Sequence, residues 1–213
     1  MELQRFGRVK VNGRLFTSTN ENIHAIGDVI GPPGLASAAV KQARIVVDGL
    51  FGDGGESGRG SGADKKRMYH AGCFLETPTT LWTVPEVASV GMTQETALAT
   101  VEKNKAKEII VVGYCFWKDI ARGRLTDPKG YVKCTGRFSE SSRAHKIVGW
   151  EIIGEGSNEL IQTAAILLGE TAERVSSTPF AAVTLGASLG LACDDMLAKS
   201  KHTERRTLKV GSK

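Results

Sequence analysis

The hydrophobic positions in the second half of the chain predict a sheet. Runs of β-branched and aromatic residues at 108–116, 131–138 and 146–153 alternate with polar residues, which is the pattern of half-buried strands. Residues 77–91 predict two shorter strands on either side of Val84-Pro85. The last two long runs are separated only by a polar turn, so an antiparallel arrangement is expected.

Helices are predicted between and after these strands. Thr93 can cap a helix that ends near Asn104, and Ser157 can cap a helix over 158–169, because an N-cap hydroxyl accepts a hydrogen bond from a free helical amide. A last helix is predicted over about 187–199. The predicted fold class is therefore α+β, an antiparallel sheet with helices packed on one side.

The first part of the chain follows a different pattern. Alternating valines precede a polar turn at Asn12-Gly13, which predicts a hairpin. A strand over Ile23–Ile26 and a helix over Leu35–Phe51 follow. Residues 52–67 (GDGGESGRGSGADKKR) then predict a flexible connection. We divide the chain into a first domain (1–51), a glycine-rich linker (52–76), a sheet domain (77–198) and a basic tail (199–213).

The composition indicates a folded protein from a reducing compartment. A hydrophobic content of 41% supports a core. The formal net charge of +5 comes partly from the tail, and without interleaved aromatic residues it does not predict nucleic-acid binding. No apolar run approaches the ~20 residues that cross a bilayer. The cysteines lie far apart, as reduced, buried thiols of an intracellular protein (cytoplasm or mitochondrial matrix) would: Cys73, Cys115, Cys134 and Cys193.

The titratable residues predict no metal site and no complete catalytic set. The histidines lie in a strand, at a linker edge, in a turn and in the tail, without spaced Cys, Asp or Glu partners: His24, His70, His145 and His202. We interpret His145, beside Arg143 and Lys146, as a solvated hairpin residue. His24 is interpreted as a packed or edge-strand side chain.

One segment has the pattern of a cofactor site. Residues 23–44 (IHAIGDVIGPPGLASAAVKQAR) predict a strand, an acidic turn at Gly27-Asp28 and a helix of small residues. The free amides of a helix start and a carboxylate can meet the polar groups of a cofactor there. The alternative is a turn that Asp28 merely caps. No glycine-rich dinucleotide fingerprint precedes the turn, and no close cysteine pair is present.

Three segments resemble the C-terminal part of the class I pyridine nucleotide–disulfide oxidoreductases, which include glutathione reductase, dihydrolipoamide dehydrogenase and soluble transhydrogenase. LFTSTNENIHAIGDV resembles the last FAD-contacting strand and turn of that family. TPTTLWTVPEVASVGMTQ resembles the start of its dimerisation domain, and IVGWEIIGEGSNELIQTAAILL a later strand and helix. The resemblance covers about 9–51 and 77–190. It implies that residues 1–51 are a remnant of an FAD-binding α/β domain.

The resemblance also implies site residues and partners. Asp28, after Gly27, corresponds to the acid that hydrogen-bonds the ribityl chain of FAD. The amides that would face the flavin's pyrimidine edge are those of Leu35, Ala36, Ser37 and Ala38. The residues before Asp28 are too few for a nucleotide-binding βαβ unit, so we expect that this chain alone does not bind FAD. We expect a homodimer or a subunit of a complex.

The base of the resembled enzymes is missing. In many members a His-Pro-Thr segment and a following Glu complete the partner subunit's active site. Aligned by helix length, the segment falls on Ala182-Val183-Thr184, with Ala187 at the glutamate. Aligned on the nearby proline, it falls on Thr178-Pro179-Phe180, with Val183 at the glutamate. Neither register supplies an imidazole or a carboxylate, so we expect no catalysis by this chain alone.

Two functions remain open at this point. The chain is either a truncated or split part of a flavin oxidoreductase, which completes a site in another polypeptide, or a non-catalytic interaction protein. In the second case its pairing surface serves a homodimer or a subunit within a larger assembly.

Overall fold

The structure is a computed structural model that describes residues 1–12, 16–51, 76–104, 108–126 and 129–210, with only the backbone described at 104 and over 201–210. The chain divides into two compact units, Met1–Thr77 and Pro78–Lys213. Most of the predicted linker, with His70 and Cys73, lies outside the described residues. The four domain bounds stay predictions.

The second unit is built on a five-stranded sheet. Its strands are β1 Thr79–Leu81, β2 Val87–Gly91, β3 Glu108–Phe116, β4 Tyr131–Ser139 and β5 Ala144–Ile153. They lie in the order β1-β2-β5-β4-β3, and every neighbouring pair is antiparallel. The predicted α+β class is confirmed, because each alternating run of the sequence forms one of these strands.

The helices are predicted less completely than the strands. In the described part of the chain they are α1 Ala36–Phe51, α2 Gln94–Asn104, α3 Ala121–Leu125, α4 Ser157–Ile166, α5 Ala172–Ser177 and α6 Ala187–Val210. The helical period predicts α1, α2, α4 and α6, although α6 continues beyond its predicted end. The short helices α3 and α5 are not predicted, since one or two turns contain too few positions for a period to emerge.

The two predicted helix caps have different outcomes. Thr93 caps α2 as predicted, with its hydroxyl accepting the Thr96 amide at 3.2 Å. The cap predicted at Ser157 is wrong, because the Ser157 hydroxyl donates to the Gly154 carbonyl instead. The start of α4 is capped by Glu86, whose carboxylate accepts the amide of Gly156 at 3.0 Å and that of Asn158 at 3.2 Å. This acceptor lies far away in sequence, so no local pattern reveals it.

One face of the sheet forms the core. Val132 and Cys134 of β4 and Trp150 of β5 are buried in one cluster with residues of α4, α5 and α6. Gly113 of β3 lies so close to α6 that a Cβ atom there would come within 1.9 Å of the Ala192 carbonyl oxygen. The prediction of helices on one side is confirmed for these three helices.

The helix α2 lies on the other face. It contacts β3 and β4, and its Glu95 is close enough to Lys133 for the two charges to interact. Successive side chains of a strand point to opposite faces. Lys133 therefore projects away from its buried neighbour Cys134, and α2 covers the face opposite to α6.

Among its described residues, the first unit contains one α-helix and two short turns of 3-10 helix, Arg5–Gly7 and Gly27–Ile30. The predicted helix is confirmed as α1. The strand predicted over Ile23–Ile26 is wrong, since this stretch makes only a single antiparallel bridge, between Thr17 and His24. A short apolar run needs a neighbouring ladder to become a strand, and none forms among the described residues of this unit. Gly13 lies outside the described residues, so the hairpin stays a prediction.

Candidate functional site

The Gly27-Asp28 turn is held against α1. Residues Gly27–Ile30 form one turn of 3-10 helix. Gly27 has a left-handed backbone (φ 71°), which glycine adopts without strain. Its amide donates to the side chain of Gln42, a buried residue of α1, at 2.6 Å. A Cβ atom on Gly27 would lie 3.4 Å from the Cβ atom of Ala39. This is an ordinary van der Waals distance, so the left-handed backbone of Gly27, and not the space around it, favours glycine at this position.

The turn lies close to the residues that lead into α1. The side chain of Asp28 is exposed, and its carboxylate lies 4.0 Å from the position that a Cβ atom on Gly34 would occupy. Ala36 and Ser37 are exposed, Leu35 is half-buried and Ala38 is buried. The first amides of a helix have no carbonyl partner within it. The exposed carboxylate of Asp28 and the exposed residues Ala36 and Ser37 thus lie near the first turn of α1.

The segment on which the resemblance places a catalytic base contains no side chain that could transfer a proton. Residues 178–187 read TPFAAVTLGA, without a titratable side chain. Phe180 is half-buried, and a Cβ atom on Gly190 would lie 3.1 Å from its ring. Ala182 and Val183 are exposed. Both alignments of the family's His-Pro-Thr segment and glutamate, by helix length and by proline, fall within these residues.

His145 lies in a polar cluster that the sequence does not predict. The interpretation of His145 as solvated is wrong, because the residue is buried at the start of β5. Its Nδ1 lies 2.7 Å from Glu173 Oε1, and its Nε2 lies 2.7 Å from Ser200 Oγ. The ring of Phe138 lies against it, with centroids 4.7 Å apart. We call His145, Glu173 and Ser200 the histidine cluster.

The histidine cluster connects β5, α5 and α6. Its order of serine, imidazole and carboxylate is that of a nucleophile, a base and an orienting acid. Ser200, however, is only 4% exposed and lies inside α6, where the backbone amides already bond within the helix. A substrate therefore cannot reach the hydroxyl. The cluster satisfies buried polar groups and fixes α6 on the sheet. His24, by contrast, is half-buried near Thr17, as its interpretation as a packed side chain predicts.

The carboxylate of the histidine cluster makes stability depend on pH. Burial opposes ionisation of Glu173, but hydrogen bonds from the His145 side chain and from backbone amides outweigh it and hold the pKa of Glu173 below its usual range. A carboxyl whose pKa is lowered by folding stabilises the fold above its ordinary pKa, and this stabilisation is lost as the pH falls through the folded value. We therefore expect Glu173→Gln to lower the unfolding free energy by about 0.5–1 kcal/mol at neutral pH, since the group is partly exposed.

This expectation is checked by urea unfolding between pH 7 and pH 3. The difference between wild type and Glu173→Gln should shrink as the solution is acidified. Glu159→Gln, which changes an exposed glutamate of α4, is the matched control and should show no such trend. A difference of constant size across the pH range would contradict the assignment.

The described cysteines are packing residues. Cys115, Cys134 and Cys193 are buried, free thiols, as predicted. Burial, with the nearby charges of Asp119 and Asp195, raises the pKa of Cys115 to about 11. Burial and the neighbouring thiol of Cys193 raise the pKa of Cys134 well above its usual range. Thiols with raised pKa values are poor nucleophiles.

The described residues include neither a metal-ligand cluster nor a membrane-spanning helix. They contain no group of three or more His, Cys, Asp or Glu side chains that could hold a metal ion. Among the same residues, no helix is both long and apolar enough to cross a bilayer.

The fold and the site together define a class of protein. The five-stranded antiparallel sheet covered by helices, and the Gly-Asp turn on a small-residue helix earlier in the chain, agree with the resemblance to the C-terminal part of the pyridine nucleotide–disulfide oxidoreductases. The family model described as "Pyridine nucleotide-disulphide oxidoreductase, dimerisation domain" matches residues 77–192. The chain therefore belongs to the pyridine nucleotide-disulphide oxidoreductase family.

Known relatives are longer than this chain. The soluble pyridine nucleotide transhydrogenase of Marinomonas sp. is 32% identical over 79% of this chain, which corresponds to 31% of the relative. That of Escherichia coli is 28% identical over 84% of this chain and 34% of its own length. The chain thus spans about a third of the curated relatives that it matches.

Solved structures show the same fold. LpdA from Mycobacterium tuberculosis superposes with a TM-score of 0.68 at 22% identity, covering 91% of this chain and 38% of LpdA. The flavoprotein disulfide reductase RclA from Escherichia coli gives a TM-score of 0.68 at 22% identity, covering 91% of this chain and 40% of RclA. At this identity the likeness concerns the fold alone.

Proposed function

We propose that this chain acts as an interface module, whose second unit joins two copies of the chain and which carries no redox chemistry of its own. The observation that carries the proposal is the absence of any titratable side chain from residues 178–187, where the resemblance places a base and its carboxylate. The buried core beside this segment is intact. A second unit that keeps its buried core but lacks a proton-transfer group is suited to binding another copy of the chain rather than to catalysis. Its free, buried thiols suit a reducing intracellular compartment.

Exposed apolar side chains near this segment supply a surface for association. Val183 is 56% exposed and Leu191, on α6, is 44% exposed. We infer that a second copy of the chain covers both side chains. Val183 also has a left-handed backbone (φ 58°), which a β-branched residue rarely adopts. Strain of this kind is typical of positions that are maintained for a function.

The association is tested by replacing Val183 with aspartate. We expect Val183→Asp to weaken self-association by at least about tenfold, because a buried carboxylate without a partner is strongly unfavourable at an interface. Stability of the separate chain should not fall, since aspartate tolerates the left-handed backbone better than valine does. Sedimentation equilibrium of the full chain gives the dimer dissociation constant.

The matched control is Leu125→Asp, which adds the same charge at an exposed apolar position of α3. It should leave the dissociation constant unchanged. A wild-type chain that stays monomeric at high concentration would overturn the homodimer. Flavin retained by the isolated chain through gel filtration, and reduced by NADPH, would overturn the non-catalytic assignment.

A second candidate function is completion of a flavin site carried by another polypeptide segment. It is favoured by the exposed Asp28 carboxylate beside the open start of α1. In that role Asp28 would accept hydrogen bonds from sugar-alcohol hydroxyls of FAD, and the amides at Leu35 to Ala38 would stabilise negative charge on the ring. FAD would supply the hydride chemistry.

A further inference from the structure

Three aromatic side chains meet on one face of the sheet in the second unit. Tyr114 and Phe116 are alternate residues of β3, and Tyr131 is the β4 residue that pairs with Phe116. The centroids of the three rings lie 6.0–6.3 Å apart, and the ring planes of Tyr114 and Phe116 differ by 8°. We call these three residues the aromatic platform.

The aromatic platform lies on the face of the sheet opposite the core. Cys115 separates the two β3 rings in sequence and is buried in the core, as is Val132, which follows Tyr131. Alternate residues of a strand point to opposite faces. The helix α2 covers part of this second face and leads into β3 near Glu108. The aromatic platform lies at the other end of β3, where Phe116 is 46% exposed.

Lysine side chains lie around the aromatic platform. Lys118 Nζ is 5.5 Å from the ring centroid of Phe116, and Lys199 Nζ is 5.0 Å from that of Tyr114. Lys133 pairs with Tyr114 from β4. Lys133 and Lys199 also form ion pairs with carboxylates of the fold. Residues 114–133 contain five basic and two acidic side chains, so the charge around the rings is positive.

The combination of rings and cations selects one kind of ligand. An apolar partner would have to remove the lysine charges from water, which is unfavourable. An acidic peptide or an inorganic polyanion would use the lysines but not the rings. Each unit of a single-stranded nucleic acid carries both a flat base and a phosphate. A lysine over an exposed ring is held weakly, so a stacking base can displace it from the ring to the phosphate.

We propose that the aromatic platform binds single-stranded RNA, with bases stacked on Phe116 and Tyr114 and with phosphates contacted by Lys118 and Lys199. RNA-binding sheets stack two or three bases on aromatic side chains in this way. The phenol hydroxyls of Tyr114 and Tyr131 can bond to the ribose 2′-hydroxyl, which DNA lacks. Composition alone does not predict this surface, because its rings meet only across two strands. The proposal depends neither on flavin nor on the dimer.

Binding is measured by the fluorescence anisotropy of a labelled single-stranded oligouridylate of about twelve nucleotides, titrated with the full chain at several salt concentrations. We expect a dissociation constant at or below about 10⁻⁴ M at physiological salt. The oligodeoxyuridylate of the same length, a duplex RNA and inorganic polyphosphate serve as comparison ligands. All three should bind more weakly, because they lack the 2′-hydroxyl, accessible base faces and bases, respectively.

The variants separate stacking from charge. Phe116→Ala should weaken RNA binding by about 5- to 100-fold without changing its salt dependence, and Phe116→Tyr, which keeps a ring, should bind like the wild type. Lys118→Gln should lower the slope of log K against log salt by about 0.7. The matched controls are Trp82→Ala and Lys146→Gln, which remove an exposed ring and an exposed lysine outside the platform and should bind like the wild type.

The contrary outcomes are distinct. No change in anisotropy at about 10⁻⁴ M wild-type chain would overturn the proposal. Equal affinity for the deoxy oligonucleotide would overturn RNA as the occupant. Polyphosphate that binds as tightly as RNA, with Phe116→Ala without effect, would show attraction by charge alone. Loss of the chain's own dimer in Phe116→Ala, seen by sedimentation equilibrium, would show that a second copy covers the platform. Urea unfolding confirms that Phe116→Ala is folded, and Lys118→Gln tests the site if it is not.

Discussion

Replacing Trp117 with alanine is expected to lower the free energy of unfolding of the second unit by about 3–5 kcal/mol. Trp117 follows β3 and is fully buried. Three glycines form the slot that holds its ring and Cβ atom: Cβ atoms on Gly130 and Gly154 would lie 2.0 Å and 2.3 Å from the ring, and one on Gly123 would lie 2.4 Å from Trp117 Cβ. These neighbours have no side chains that could move into the vacated space, so the cavity would persist.

The matched control for this prediction is Trp82→Ala. Trp82 follows β1 and is 77% exposed, so its removal should change the unfolding free energy by less than about 0.5 kcal/mol. Urea unfolding followed by far-UV circular dichroism measures both. A third variant, Trp117→Phe, keeps most of the ring and removes a buried Nε1–H group that has no hydrogen-bond partner in the described structure. It should cost much less than Trp117→Ala. Equal losses for Trp117→Ala and Trp82→Ala would contradict the packing argument.

The features that the sequence predicts correctly are those with a local cause. The alternation in 108–116 and 131–138 reflects one buried face, so β3 and β4 lie as predicted. Thr93 caps α2 because the acceptor and the amide are three residues apart. The Gly27-Asp28 turn is also local, since Gly27 and its partner Gln42 belong to one turn-and-helix segment.

The features that the sequence does not predict depend on distant partners. Glu86 caps α4 from a position 70 residues earlier in the chain. The glycine slot around Trp117 is assembled from α3, which contains Gly123, and from the segments before β4 and after β5, which contain Gly130 and Gly154. No local pattern in the sequence brings these three glycines together.

In the sequence His145 lies beside the charged residues Arg143 and Lys146, a pattern that favours exposure to solvent. The side chains that contact it in the structure, Glu173 and Ser200, are 28 and 55 residues away in the sequence. Only the packing of α5 and α6 on β5 determines its environment.

The histidine cluster leads to the second large effect. We expect His145→Ala to lower the unfolding free energy of the second unit by roughly 2–4 kcal/mol, because it leaves the buried Ser200 hydroxyl without its imidazole partner and opens a cavity beside Phe138. Glu173 is partly exposed, so water can replace part of its lost contact. Amide hydrogen exchange should accelerate near Ser200 more than in α4, since the histidine cluster fixes α6.

A double-mutant cycle separates this contact from general loss of packing. In a Ser200→Ala background the cost of His145→Ala should be smaller by about 1 kcal/mol, because the hydroxyl that would be left unsatisfied is already absent. His24→Ala, in the first unit, is the matched histidine control and should leave the unfolding of the second unit unchanged. Strictly additive costs for His145→Ala and Ser200→Ala would show that the 2.7 Å contact contributes nothing. The anchoring of α6 would then rest on apolar contacts such as that of Met196 with Gly136.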